Sequence, residues 1–251
     1  MQKNDALSAH LDDLRAALAL LTRLPLPDAP LRGARAVWAY PLAGVVVGLI
    51  AGLVGLIAHW GGLPSALAAL AALAVQVIIT GAMHEDGLAD SADGLWGAWT
   101  RAKRLEIMKD SHMGAFGVIA LFLALAARWA ALWVLFQMGG GWALAAIVTA
   151  AAVSRAAMPL VMWALPHARA SGLSHGIGRP DARTCAVAAG IAAVIALVLV
   201  GWSVFGVVIW AALTTVAVGW IAKDKIGGQT GDILGATQQL VEIAVLLSII
   251  A

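Results

Sequence analysis

The chain has 251 residues, 62% of them Ala, Val, Ile, Leu, Met, Phe, Trp, Tyr or Cys and only 12% charged, about half the charge of a soluble domain of this size. That composition excludes an ordinary soluble globule and a disordered chain, and with Cys185 as the single cysteine it excludes a disulfide scaffold. A formal net charge of +2 offers no basic field for nucleic acid, so the membrane class remains.

The first 25 residues carry Lys3, Asp5, Asp12, Asp13, Arg15 and Arg23, which is unlike a cleaved secretory signal with its uninterrupted apolar stretch, and the N-terminus is expected to be retained. Leu7, Leu11, Leu14, Leu18 and Leu21 recur at three- and four-residue steps opposite Asp12, Asp13 and Arg15. This stripe predicts an N-terminal amphipathic helix lying at the bilayer interface. Packing of the same stripe on the protein's own loops satisfies the pattern equally well.

Crossing about 30 Å of hydrocarbon takes about 20 apolar residues in a helix. Seven stretches qualify, at 39–60, 64–83, 115–138, 141–165, 184–201, 204–222 and 234–251. The fold expected is all-α, a polytopic helical bundle of about seven transmembrane helices forming one domain over 1–251. Lys and Arg give an independent check. Five precede the first span, four lie in 84–114, three in 166–183 and two in 223–233, whereas the connections around 61–63, 139–141 and 201–203 have none. Positive charge is retained on the cytoplasmic side, so the N-terminus and the long loops are expected to be cytoplasmic. Of 14 acidic residues, all but Glu242 fall on that side, which puts the chemistry on one face.

The block His84-Glu85-Asp86-Gly87-Leu88-Ala89-Asp90-Ser91-Ala92-Asp93-Gly94 follows the second span. On a helix Asp86, Asp90 and Asp93 share a side while His84 points elsewhere. Neighbouring carboxylates repel, and a cation relieves them; a hard, all-oxygen set with open positions suits Mg²⁺ shared with substrate phosphates. Read structurally, the block is a helix end rich in caps and turns. Next come Arg101, Lys103, Arg104, Lys109, Asp110 and Ser111, cations of the kind a polyphosphate requires, although the first three equally suit anionic headgroups.

Arg155, inside the fourth span, is a site candidate because a charge at membrane depth usually faces a cavity, a partner or substrate; Arg128 is read as snorkelling or pairing with Glu242. The run Gly227-Gly228-Gln229-Thr230-Gly231-Asp232 presents backbone N–H groups to an anion or is simple turn chemistry.

Taken in order, Thr22-Arg23-Leu24-Pro25, Tyr40-Pro41-Leu42-Ala43-Gly44, the His84 to Gly94 block, Glu106-Ile107-Met108-Lys109-Asp110-Ser111, Ser154-Arg155 and Gly227 to Ala236 resemble the cobalamin synthase family over about residues 20–242. The resemblance implies an adenosylcobinamide-GDP ribazoletransferase of a bacterial or archaeal cytoplasmic (inner) membrane. Such an enzyme joins α-ribazole, or its 5′-phosphate, to adenosylcobinamide-GDP with release of GMP, and it requires Mg²⁺. Asp86, Asp90 and Asp93 would then hold the metal; His84, Asp110 or Asp232 would supply the base; and Glu85, Arg104, Lys109, Ser111, Arg155, Gln229 and Thr230 would contact substrate. Beyond substrates and bilayer, the expected partners are a second copy of the chain or other cobalamin-assembly enzymes. Glu85 departs from the family motif, which usually has Leu there, and His112 is less basic than its counterpart. Two rival readings stand beside this one. A different membrane transferase of diphosphates would use Asp86-x-x-x-Asp90 with Asp224 and Asp232, as in prenyltransferases; the Asp-Gly-x-x-Ala-Arg spacing of CDP-alcohol phosphotransferases is not met. A transporter would need more ionisable groups at midplane than Arg128, Arg155 and Glu242.

Overall fold

The computed structural model describes residues 2–27 and 32–251. In chain order they form α1 (Gln2–Leu21), a 3₁₀ turn η1 (Gly33–Ala39) leading into α2 (Tyr40–Trp60), α3 (Ser65–Thr80), α4 (Met83–Trp96), the short α5 (Arg101–Ile107), α6 (Ala115–Met138), α7 (Gly140–Ala164), the short α8 (Leu173–Ile177), α9 (Ala182–Val200), the turn η2 (Gly201–Ser203), α10 (Val204–Ile226) and α11 (Gly231–Ile250). Long Ala- and Leu-rich runs propagate helix, and the breaks fall at Gly61-Gly62, Gly81, Gly139, Gly201 and Gly227, where glycine ends helices most readily.

The helical class is as the composition required, and the number of spans is refined. Among the described residues five runs are long and apolar enough to cross a membrane, or six if the bent pair α3 and α4 is one span. The expected stretches 184–201 and 204–222 form one apolar run of 45 residues, broken at Gly201, where φ is +55°. Its full helical length, about 67 Å, is roughly twice the hydrocarbon thickness, so the break separates two arms. The stretch at 64–83 yields only the 16 residues of α3 before the chain turns.

At the centre stands α7, with 78% of its apolar window buried, against 28% for α6 and for the α9–α10 run. It is rich in alanine, and α2 lies close against it: a Cβ on Gly48 would come within 2.7 Å of the Val148 Cα, and one on Gly44 would collide with the Ala151 carbonyl. Small residues four apart let membrane helices approach to backbone contact. The outer faces present Trp60, Ile78, Phe122, Val198 and Trp202, more apolar surface than water tolerates. This is a multi-pass membrane bundle.

Helix α1 forms as expected, and its stripe packs on the protein itself, the second of the two uses the pattern allowed. Leu21 and Ala17 are buried in the protein's own core, with Leu14 and Leu18 packed against it, while Leu11 is exposed; the Leu7 side chain lies outside what is described. Asp13 is buried too, accepting hydrogen bonds from Arg32 Nε (2.6 Å) and Trp38 Nε1 (3.0 Å), which pins α1 to η1.

Between α3 and α4 the chain bends by 85°. Gly81 and Ala82 both adopt left-handed backbone, at φ +62° and +56°; a non-glycine residue held there costs about 1–3 kcal/mol. The amino-terminal segment secures the elbow, since Arg23 N–H donates to the Ile79 carbonyl at 2.6 Å and the Arg23 side chain fills the space a Cβ on Gly81 would need. The bend directs α4 between α6 and α11. There Gly87 meets Gly235 so closely that a Cβ on Gly87 would lie 2.9 Å from the Asp232 carbonyl oxygen.

Beneath α4 a charge-balanced cluster joins five helices. Arg128 Nη1 donates to Glu85 (2.7 Å) and Gln239 (2.9 Å), and its Nη2 to Glu242 (3.0 Å) and Gln76 (3.2 Å). Arg155 lies 4.0 Å from Glu242 and donates to the Ala151 carbonyl, while Gln238 bonds Ser154 and Glu242. Two arginines thus face two glutamates, as burial of charge demands. The pairing of Arg128 with Glu242 is the one the sequence suggested.

Candidate active site

A cleft of about 220 Å³ opens where the starts of α4 and α11 meet α1, α2 and the 165–177 segment; His84, Asp86, Arg169 and Asp232 supply its polar wall. Its geometry follows from the elements already described. The elbow brings the first turn of α4 inward, the Gly87–Gly235 contact sets α4 against α11, and Thr230 starts α11 by accepting a hydrogen bond from Ile233 N–H, so that Asp232 stands in the first helical turn with its charge at the positive end of the helix. Asp232 is fixed from two sides, by Arg169 Nη2 at 3.2 Å and by the Thr230 hydroxyl at 3.1 Å.

Asp86, Asp90 and Asp232 lie near enough for their charges to act on one another. Asp90 follows one turn after Asp86 on the same face of α4. The acidic group is therefore built across two helices. Asp93, whose charge also reaches Asp90, is held by the N–H groups of Gly114 (2.7 Å) and Gly117 (2.9 Å), from which its carboxylate accepts, capping the start of α6, whose free N–H groups need acceptors. His84 departs only from the direction that helical spacing suggested. Although α4 is helical, His84 lines the cleft beside Asp86, because the elbow places the first turn of α4 inside the bundle; its Nε2 has no hydrogen-bond partner among the described residues.

Among the described residues no three His, Cys, Asp or Glu side chains form a ready-made metal cage. A magnesium site typically draws one or two carboxylates from the protein and the rest from water and substrate phosphates. The hard oxygen donors of Asp86, Asp90 and Asp232, which repel one another as they stand, fit that description.

Several expected site residues lie away from the cleft. Glu85 and Arg155 belong to the buried cluster, where each answers another charge of the protein. Arg104 clamps the chain by donating to the carbonyls of Ala98 and Lys225, and Arg101 likewise holds those of Ile226 and Ala168. Lys109, Asp110 and Ser111 are exposed on the connection after α5; Asp110 accepts from the backbone and ring of His112, which holds its carboxyl below the usual carboxylate range. Gln229 is buried against the cleft wall, accepting from Ser174 Oγ (2.7 Å) and meeting His167 Nδ1 (2.9 Å).

Arg169, noted in the sequence only as a charge at the cytoplasmic end of a span, stands at the cleft. It ties Asp232 in the cleft and leaves its buried Nη1 unpartnered, a cation poised beside carboxylates. Its signal was present: the segment His167 to Arg179 carries two histidines and two arginines between apolar spans. His167 and His175 stand ring to ring at 5.1 Å, and partial burial, aided by His175 and Arg179, lowers the His167 pKa below the ordinary histidine value.

Comparison with known proteins identifies the family. Residues 13–250 match the family model described as cobalamin-5-phosphate synthase. An adenosylcobinamide-GDP ribazoletransferase of Mesorhizobium japonicum is 44% identical over 240 residues, covering 94% of this chain and 92% of the relative. That of Bradyrhizobium diazoefficiens is 43% identical over 242 residues with the same coverage, and that of Brucella ovis 39% over 266 residues, covering 100% and 99%. No solved structure matches. A match running from α1 to the end of α11, shared with relatives covered over nine-tenths of their own length, makes this chain a member of the cobalamin-5-phosphate synthase family.

Proposed function

We propose that the chain is an adenosylcobinamide-GDP ribazoletransferase, completing the nucleotide loop of adenosylcobalamin. The observation that carries the reading is the acidic cleft between α4 and α11 with Arg169 at its edge, on a chain matched end to end by ribazoletransferases. A ribose hydroxyl of α-ribazole, or of its 5′-phosphate, attacks the phosphorus that bears cobinamide. The new O–P bond forms as the P–O bond to the second phosphorus breaks, GMP leaves with that bridging oxygen, and the hydroxyl proton passes to a base. His84 and Asp232 both line the cleft and are the two groups suited to that role; the exposed Asp110 is not. Arg169 neutralises developing phosphate charge. Asp86 and Asp90, one turn apart on α4, would hold Mg²⁺, which when bound offsets the charge of the diphosphate.

The same reading places the protein in the cytoplasmic membrane with its charged loops inside, supported by the alternation of charged and bare connections. The prenyltransferase, phosphotransferase and transporter alternatives gain no support from the comparisons, which reach one family over nearly the whole chain. The test uses purified protein in nanodiscs with adenosylcobinamide-GDP, α-ribazole and Mg²⁺. GMP release is expected, lost on chelation and restored by Mg²⁺, and reduced at least about a hundredfold by Asp90→Asn with the far-UV spectrum unchanged, the scale on which removal of one stabilising group in a reaction centre is felt. Turnover of a prenyl diphosphate without GMP from the corrinoid would overturn it.

A further inference from the structure

A second hollow, about 600 Å³ in volume, adjoins the acidic cleft, and Leu20, Tyr40, Leu173 and Ile177 line both. It lies between α1, η1 and α8, and its remaining wall is mostly alanine and glycine, including Ala16 and Gly176. Its one charged lining residue among those described is Arg32, whose Nε is already bonded to Asp13. The chamber therefore lies against the acidic cleft, with residues lining both, yet presents no free charge. Its volume falls within the range of about 300–1,000 Å³ typical of small-molecule sites.

This inference rests on the ribazoletransferase reading. Three bulky groups take part in that reaction. The corrin macrocycle with its fringe of amides is several times the size of a nucleoside and overfills the space. Guanine needs hydrogen-bond partners along two polar edges, and burying those edges against alanine and leucine is costly. The ribazole base, a fused bicyclic ring carrying methyl groups and no hydrogen-bond donor, suits apolar walls of this size. We infer that the chamber between α1, η1 and α8 receives the benzimidazole ring of the acceptor nucleoside, leaving its ribose directed to the acidic cleft. On this account α1 is a wall of the acceptor site.

The experiment narrows the chamber from two separate elements. Gly176→Leu has room, because a Cβ at Gly176 meets nothing within 4 Å, and Ala16→Leu adds bulk from the partly buried face of α1. Steady-state GMP release is measured against each substrate in turn, with α-ribazole binding to the same proteins followed by calorimetry. Each variant is expected to raise the KM and the Kd for α-ribazole at least about tenfold, to leave the KM for adenosylcobinamide-GDP within about twofold, and to recover with the smaller riboside of unmethylated benzimidazole. A rise confined to the corrinoid KM, an equal rise for both substrates, or no change in either variant would overturn the inference. Absence of GMP release from the unaltered protein would instead refute the ribazoletransferase reading, and calorimetry would still report whether narrowing the chamber weakens nucleoside binding.

Discussion

Replacing Arg128 by leucine tests whether the cluster beneath α4 is held together by charge balance. Arg128, 2% exposed, makes four hydrogen bonds, two of them to carboxylates. Side-chain hydrogen bonds in membrane bundles average about 0.6 kcal/mol, so four supply roughly 2 kcal/mol. The larger effect is the carboxylate left behind. Glu242 retains Arg155 at 4.0 Å, but Glu85 keeps only the Gln239 amide at 3.1 Å, and an uncompensated buried charge costs about 3–5 kcal/mol. That figure already includes the lost hydrogen bonds; with part of the charge still answered by Arg155 the lower end applies, and Arg128→Leu is expected to lose about 3 kcal/mol in detergent unfolding followed by circular dichroism. The double variant Arg128→Leu with Glu85→Gln removes one charge of each sign and should recover at least half of that loss. A single variant within 1 kcal/mol of the parent, or a double variant less stable than the single, would refute the argument from charge balance.

Two further outcomes separate structural from chemical roles. Asp93→Ala removes the cap from α6 and should lower stability by about 2 kcal/mol, read by the same unfolding assay, whereas Asp90→Asn should leave stability within about 0.5 kcal/mol. The pKa of His167 is lowered in the fold, so the unfolded chain takes up its proton first as pH falls; stability at this site is fully present above about pH 6.5 and declines below it. Limited proteolysis of the 165–172 connection should accordingly quicken between pH 7.5 and 5.5, and His167→Gln should flatten that dependence.

The helical class and most helix limits were legible because long apolar runs ended by glycine permit little else. The carboxylates of α4 were legible as a cluster because helical periodicity is local. Which neighbours they meet is a matter of tertiary packing: Asp93 shares a face with Asp86 and Asp90, yet the start of α6 arrives exactly where its carboxylate lies, and Asp232 comes from 142 residues farther along than Asp90. Arg155 and Glu85, expected to contact substrate, lie in the buried cluster for a related reason. A charge at membrane depth signals that it needs an answer, and here other side chains of the protein provide it. The glycines at 44 and 48 and the segment around Arg169 show the opposite case, in which the pattern was visible and its meaning depended on what it faced.

The elbow at Gly81 and Ala82 makes the acidic cleft hostage to the opening residues of the chain. Arg23 braces the turn from outside, so the angle at which Asp86 enters the bundle depends on a strand of polypeptide some sixty positions earlier. A shortened or lengthened segment between α1 and η1 would thus misaim the acidic helix while leaving every long membrane crossing in place, and the protein would insert normally yet stay idle.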